Sequence, residues 1–239
     1  MQEALLEIER SIEQDKKSLV ITPNAHHINI IHKDKEFKKL YQEADLVLTD
    51  SVPLVWASKI LGNPIKERVA GSDIFPSFCQ VASQKKYKIF LLGSEPGIAD
   101  QAASILKKLH PGLRVVDTYS PPFGFENNPQ ENKKIFQLIT QAESDVLFVG
   151  LGSPKGEKWS WLHKDKINSS VIICVGAAFD FIAGKSKRAP LWMQKVGLEW
   201  FHRFLKEPRR LWKRYLVGNS YFIWLVIKEF VSTRIKISG

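Results

Sequence analysis

The stretch EADLVLTDSVPLVWASKILG, residues 43–62, decides how the chain is read. Leu46, Val47 and Leu48 form a short apolar run, which suits a parallel strand buried on both faces. Thr49 and Asp50 follow at once, and Val52-Pro53 opens an apolar helical pattern, with proline where a helix tolerates it best. Asp50 therefore stands where a strand hands over to a helix. A carboxylate there either caps the helix or is placed for chemistry, and Ser51 can supply the cap in its stead.

The same grammar runs on both sides of this stretch. Apolar runs at 18–22, 46–49, 88–92, 113–118, 145–149 and 171–175 read as strands. Helical patterns at 52–61, 72–83, 96–109, 129–141 and 154–164 alternate with them. That alternation predicts an α/β fold, a Rossmann-like, doubly wound and mostly parallel sheet. In such sheets ligands bind outside the carboxyl ends of the strands. The junctions TPNAHH (22–27), TDSVP (49–53), GSEPG (93–97), GLGSPKG (150–156) and VGAAFD (175–180) would then share one rim.

After Gly184 the pattern changes, so the expected domains are a catalytic domain of residues 1–184 and a helical appendage of residues 185–239. The window 185–236 holds 13 Lys and Arg against 3 Asp and Glu, a net of +10, which equals the excess of the whole chain. All the surplus positive charge is therefore in the last quarter, a surface aimed at something anionic. Trp192, Trp200, Trp212 and Trp224 are interleaved with those cations, a combination that suits a membrane interface. Nucleic acid would also suit it, but no helix-turn-helix, RRM or zinc-finger pattern is present. The opening residues 1–17 are charged throughout and carry no signal-peptide pattern, and the apolar run 221–227 is too short to span a bilayer. Cys79 and Cys174 lie inside apolar segments and read as core thiols in a reducing, cytoplasmic setting.

The polar residues of the rim each have an ordinary explanation. Thr22 and Asn24 can hydrogen-bond a ligand, and Asn24 is favoured as a helix cap. His26, His27 and His32 lack the carboxylate and spacing of a metal set. In ERVAGSDIF (67–75) Ser72 suits an N-cap and Asp73 a first turn, while Gly71 precedes them and Arg68 offers a fork for phosphate. Gly93 with Ser94, and Gly152 with Pro154, form turns whose backbone N–H groups can approach a phosphate at a helix start. Neither turn is a Walker A loop or a complete GxGxxG fingerprint. Lys155 and Glu157 read as a solvated pair, and Gly176 and Asp180 complete the rim. No Asp-x-Asp motif is present to hold a metal for a nucleotide-sugar. These residues alone leave open a dinucleotide-dependent enzyme and a nucleic-acid-binding module.

Seven segments taken together resemble one family, the WecG/TagA/CpsF glycosyltransferases (glycosyltransferase family 26). They are TPNAHHI, ADLVLTDSVPLVWASKILG, ERVAGSDIF, FLLGSEPGIA, VGLGSPKGEKW, GAAFDFIAGKSKRAPLWMQKVGLEWFHRF and KEPRRLWKRYL, in order along nearly the whole chain. The resemblance implies an inverting transferase that moves N-acetylmannosamine, or a related sugar, from a UDP donor to undecaprenyl-diphosphate-linked GlcNAc. It implies no metal or other cofactor, and a peripheral place on the cytoplasmic membrane face, where the 185–239 appendage docks on anionic lipid. Self-association through the apolar tail is compatible with it, and a nucleic-acid partner is not expected. By the same resemblance Asp50 is the catalytic residue, and Thr22, Asn24 and Arg68 contact substrate. Arginines among Arg203, Arg210 and Arg214 close over the donor diphosphate. The family usually writes Gly-x-Pro-Lys-Gln-Glu at the fifth junction, and this chain has Gly156 in place of the Gln, so that role is not carried over.

Overall fold

The computed structural model describes the backbone of residues 1–238 and the side chains of residues 1–234. Gly239 and the Lys236 side chain, both within the expected 185–239 appendage, lie outside the described residues. The chain divides into two compact units. The first comprises Met1–Thr22, Leu40–Leu48 and Ala70–Lys187, and the second Pro23–Lys39, Thr49–Val69 and Arg188–Gly239.

The first unit holds six strands: β1 Ser18–Ile21, β2 Leu46–Val47, β3 Lys88–Gly93, β4 Arg114–Tyr119, β5 Val146–Gly150 and β6 Val171–Cys174. They form one sheet in the order β2-β1-β6-β5-β3-β4. All neighbours are parallel, so the sheet is wholly parallel and Rossmann-like. Every residue of β1, β5 and β6 is buried, which is why those segments read as unbroken apolar runs. The helix Gly71–Lys85 buries Phe75 and Phe78. The Phe75 ring lies 4.7 Å from Phe148 and 5.1 Å from Phe179. Cys79 and Cys174 are both buried as free thiols, and burial pushes both above the ordinary thiol range.

Parallel strands place all their carboxyl ends on one edge, and glycine shapes that edge. Gly93 and Gly150 are register partners across β3 and β5. Gly93 has φ +121°, and a Cβ on it would sit 2.6 Å from the Gly150 carbonyl carbon, so only glycine satisfies both the dihedral and the approach. Gly71 does similar work at the start of its helix. A Cβ there would lie 3.0 Å from Thr22 Oγ1 and 3.0 Å from Val175 Cα, so the helix end packs directly on the chain leaving β1 and β6.

Two helix starts differ from the sequence expectation. The helix after β3 begins at Ile98, because Gly97 takes a left-handed conformation (φ +84°) and serves as its N-cap. The Gly71–Lys85 helix has Ala70 as its N-cap, so Ser72 lies inside the first turn and does not cap it. Asp73 does occupy that first turn.

In the second unit the last quarter of the chain is helical, as its lack of strand alternation predicts. It runs through Leu191–Lys195, Glu199–Lys206, Pro208–Trp212, a π-helical turn Lys213–Val217 and Gly218–Ser238. Asn29, on the helix Ala25–Lys33, donates to the Gly218 carbonyl at 2.8 Å. Lys33 lies over the Tyr221 ring at 4.8 Å. At Gly197 a Cβ would meet Val52 at 3.2 Å and Trp56 at 3.3 Å, so the helix Val52–Ile60 packs closely on that turn. Among the described residues no helix is long and apolar enough to cross a membrane.

Candidate active site

Thr22, Gly71, Ser72, Asp73, Gly93, Ser94, Gly152, Pro154, Lys155, Glu157, Gly176 and Asp180 belong to the first unit. Asn24, Asp50, Arg68, Arg203, Arg210 and Arg214 belong to the second.

On the carboxyl edge of the sheet, Thr22 Oγ1 donates to the Cys174 carbonyl at 3.0 Å and is buried. Its hydroxyl thus ties the end of β1 to the end of β6. Ser94, held at φ +63°, donates from its Oγ to Asp180 Oδ1 at 2.7 Å. Lys185 reaches the same Asp180 oxygen at 3.9 Å and Glu95 at 2.5 Å. Gly152 and Gly176 both have positive φ, +75° and +57°, with open space on the side a Cβ would take. Their backbones are therefore approachable, the property a phosphate-binding turn needs.

Lys155 and Glu157 are not the solvated pair their spacing suggests. Lys155 lies 3.9 Å from Glu126 and over the rings of Phe123 and Phe125. Glu157 is buried, 6% exposed, because it turns inward from the helix Lys155–His163. Gly156 is buried in the same helix, and a Cβ on it would make ordinary contacts of 3.5 Å with Val149 and Leu151. A cavity of about 450 Å³ also lies in this unit, between the helix Pro129–Ala142 and the segment from His163 to Lys166. None of the candidate residues lines it.

In the second unit Asp50 stands two residues before the helix Val52–Ile60. Ser51 holds the N-cap position, but its hydroxyl makes no capping bond. The Asp50 N–H donates to the Pro23 carbonyl at 2.8 Å, which anchors the backbone and leaves the carboxylate 30% exposed. Arg68 Nη1 lies 3.9 Å from Asp50 Oδ1 and 3.7 Å from Glu199 Oε2. Glu199 in turn accepts a hydrogen bond from Arg188 Nε at 3.3 Å. The sequence reading missed Glu199 and Arg188. The available signal was that Glu199 is one of three acids in a strongly basic segment.

Arg214 completes this electrostatic cluster. Its Nε is sealed from solvent and has no hydrogen-bond partner among the described residues. Burial pushes the guanidinium below its ordinary range, Tyr215 opposes this, Arg203 adds to it, Asp50 opposes it and Arg210 adds to it. Asp50 and Arg203 are therefore close enough to Arg214 to be felt. Arg210 is exposed and paired to Glu207 one turn away. Asn24 caps the helix Ala25–Lys33: its Oδ1 accepts from the His26 N–H at 3.0 Å, and its own N–H donates to His27 Nδ1 at 3.1 Å. His27 is buried against Phe37, with ring centroids 6.1 Å apart, a structural histidine.

A wholly parallel sheet with approachable backbone on its carboxyl edge is the architecture of the Rossmann-like α/β class. The family model described as "Glycosyl transferase WecG/TagA/CpsF family" matches residues 1–236, and the chain belongs to that family. It is 30% identical over 218 residues to the N-acetylglucosaminyldiphosphoundecaprenol N-acetyl-beta-D-mannosaminyltransferase of Bacillus subtilis (strain 168), spanning 91% of this chain and 82% of that one. Its identity to the protein of the same name from Bacillus spizizenii is 27% over 228 residues, 95% of this chain and 86% of that one. The protein of that name from Staphylococcus aureus (strain MW2) is also 27% identical, over 218 residues, 91% of this chain and 81% of that one.

Proposed function

We propose that the protein is an inverting transferase. It moves N-acetylmannosamine from UDP-ManNAc to the 4-hydroxyl of undecaprenyl-diphosphate-linked GlcNAc, making the ManNAc-β-1,4-GlcNAc linkage unit of wall teichoic acid. What carries the reading is the likeness, over more than nine-tenths of the chain, to relatives named for transfer of N-acetylmannosamine to that lipid. Asp50 is the general base. Its carboxylate takes the proton of the acceptor hydroxyl as that oxygen attacks the anomeric carbon opposite the leaving group. The bond from that carbon to the diphosphate breaks, and UDP departs with the electron pair. A base so placed contributes about 10²–10⁴-fold in rate.

The leaving diphosphate gains negative charge, and Arg203 and Arg214 are the groups suited to take it, with Arg210 at the exposed end of the cluster. Arg214 supports this role, because its unpartnered Nε and its cationic neighbours favour an incoming anion. On this reading no metal is required. Within the first unit, the turn at Gly152 leaves its backbone open to an anion such as phosphate. The appendage from residue 185 onward docks on the cytoplasmic membrane face. Leu191 (72% exposed), Trp192 (62%) and Leu205 (62%) support this role, since they lie among cations that suit anionic headgroups.

The test is a UDP-release assay with a panel of UDP-sugars and a short-chain lipid-diphosphate-GlcNAc acceptor, run with and without EDTA. Release is expected with UDP-ManNAc, only when acceptor is present, and equally in EDTA. Preference for another sugar such as UDP-ManNAcA would move the reading to exopolysaccharide or antigen synthesis. Loss of activity in EDTA would remove the metal-free mechanism.

A further inference from the structure

Arg214 lies in the π-helical turn Lys213–Val217, a winding that is rare and concentrates at functional sites. Gly218 closes that turn, because its N–H donates to the Lys213 carbonyl. The Gly218 carbonyl in turn accepts from Asn29 Nδ2 at 2.8 Å. A Cβ on Gly218 would stand only 3.2 Å from that nitrogen, so the glycine lets the amide approach this closely. Asn29 is 7% exposed, and its Oδ1 accepts no hydrogen bond among the described residues. The side chain is thus held by its donor end. Asn29 stands on the helix Ala25–Lys33, and the N-terminal side of that helix is tied to Asp50. The Pro23 carbonyl, next to the Asn24 cap, accepts from the Asp50 N–H at 2.8 Å. One short helix therefore connects the backbone of Asp50 to the turn that carries Arg214.

We infer that Asn29 is a positioning residue: it pins the π turn at Gly218 and so aims Arg214 at the leaving diphosphate. The inference rests on the reading of Arg214 as a group that takes the charge of departing UDP. Without the pin the turn relaxes toward α geometry. That removes the winding of one extra residue, about 100°, and re-aims Arg214 relative to the helix that follows. Lys33 over the Tyr221 ring at 4.8 Å still holds that following helix. The loss then falls on the aim of one side chain rather than on the packing of the two helices.

The test is a double-mutant cycle in the full chain, assayed by UDP release with UDP-ManNAc and a short-chain lipid-diphosphate-GlcNAc acceptor. Asn29→Leu keeps the approximate shape of the side chain and removes its donor. It is expected to lower kcat by about 10²-fold, the scale of a misplaced catalytic group, with Tm nearly unchanged. The change in KM for the donor should be smaller, because the charge that Arg214 meets grows in the transition state. In an Arg214→Ala background the same substitution should cost nothing further in residual rate. Equal losses in the two backgrounds, or a loss of rate that only tracks a loss of Tm, would overturn the inference. If Asn29→Leu does not fold, Gly218→Ala takes its place. Gly218 has helical dihedrals (φ −67°, ψ −43°), so its backbone accepts a methyl, and that methyl crowds Asn29 off the carbonyl. It should lower kcat by the same factor, and a parental kcat would overturn the inference as well. Arg214→Ala alone separates the two readings. A fully active Arg214→Ala removes the diphosphate role and the inference with it, whereas a strongly impaired one beside a fully active Asn29→Leu removes only the positioning role.

Discussion

Asp50→Asn separates chemistry from stability, because the structure predicts a large effect on one and a small effect on the other. The substitution removes a charge and keeps the shape. The backbone bond from the Asp50 N–H to Pro23 is untouched, and the helix that follows has Ser51, not Asp50, at its N-cap. What is lost is an ion pair to Arg68 at 3.9 Å, with the carboxylate 30% exposed. Pairs of that kind contribute about 0.2–1 kcal/mol. In a domain of this size that is about 1–4 °C in Tm. Arg68 keeps Glu199 as a partner, while the buried Arg214 loses one of the charges that offset its burial. Loss of a general base costs about 10²–10⁴-fold in rate, equivalent to about 2.7–5.4 kcal/mol in the barrier. The assay is UDP release under saturating donor and acceptor, with Tm measured on the same samples. The reasoning predicts a collapse of kcat at nearly unchanged Tm. Turnover within a few-fold of the parent would refute it, and so would a loss of activity that merely tracks a large loss of stability.

Gly71→Ala should destabilise, because the new methyl meets backbone atoms of Val175 at 3.0 and 3.1 Å as well as Thr22 Oγ1. With about 1–2 kcal/mol of overpacking, Tm should fall by about 2–8 °C, and an unchanged Tm would show that the helix start yields freely. Replacing the exposed cations Lys206, Arg209 and Lys213 with Gln should weaken binding to anionic vesicles by about fivefold per charge and leave neutral vesicles unaffected; equal losses on both would point to a damaged fold. Asp45 accepts from the Leu19 N–H at 2.9 Å and pairs with Lys164 at 2.5 Å. Burial pushes its carboxyl upward, but the Lys164 hydrogen bond, the Leu19 N–H and the lysine charges outweigh it and hold the pKa below the ordinary value. A lowered folded pKa gives stability that is present above the unfolded value of about 3.9 and is lost as pH falls through the folded one. Asp45→Asn should therefore lower Tm at pH 7, and its Tm should converge with the parent's as pH falls through the lowered folded value; a constant gap would refute the linkage.

How much of this was legible in the sequence depended on how local the cause was. Strands β1, β5 and β6 announced themselves because burial on both faces leaves no room for polar residues. The carboxyl-edge turns were legible because Gly93 and Gly97 satisfy dihedrals that other residues resist. Ser72 misled because it has the chemistry of a cap, whereas the helix start is set by the close approach at Gly71, which depends on Val175, far along the chain. The grouping of residues 23–39 and 49–69 with the tail was hidden for the same reason, since contacts such as Asn29 to Gly218 leave no mark on local periodicity. Glu199 is the sharpest case. In sequence it is one of three acids within a cationic segment and reads as charge balance. In the folded unit it is the carboxylate that Arg68 and Arg188 share. Removing such an acid takes a counter-charge from two arginines that are largely withdrawn from solvent, which costs more than losing an exposed surface pair.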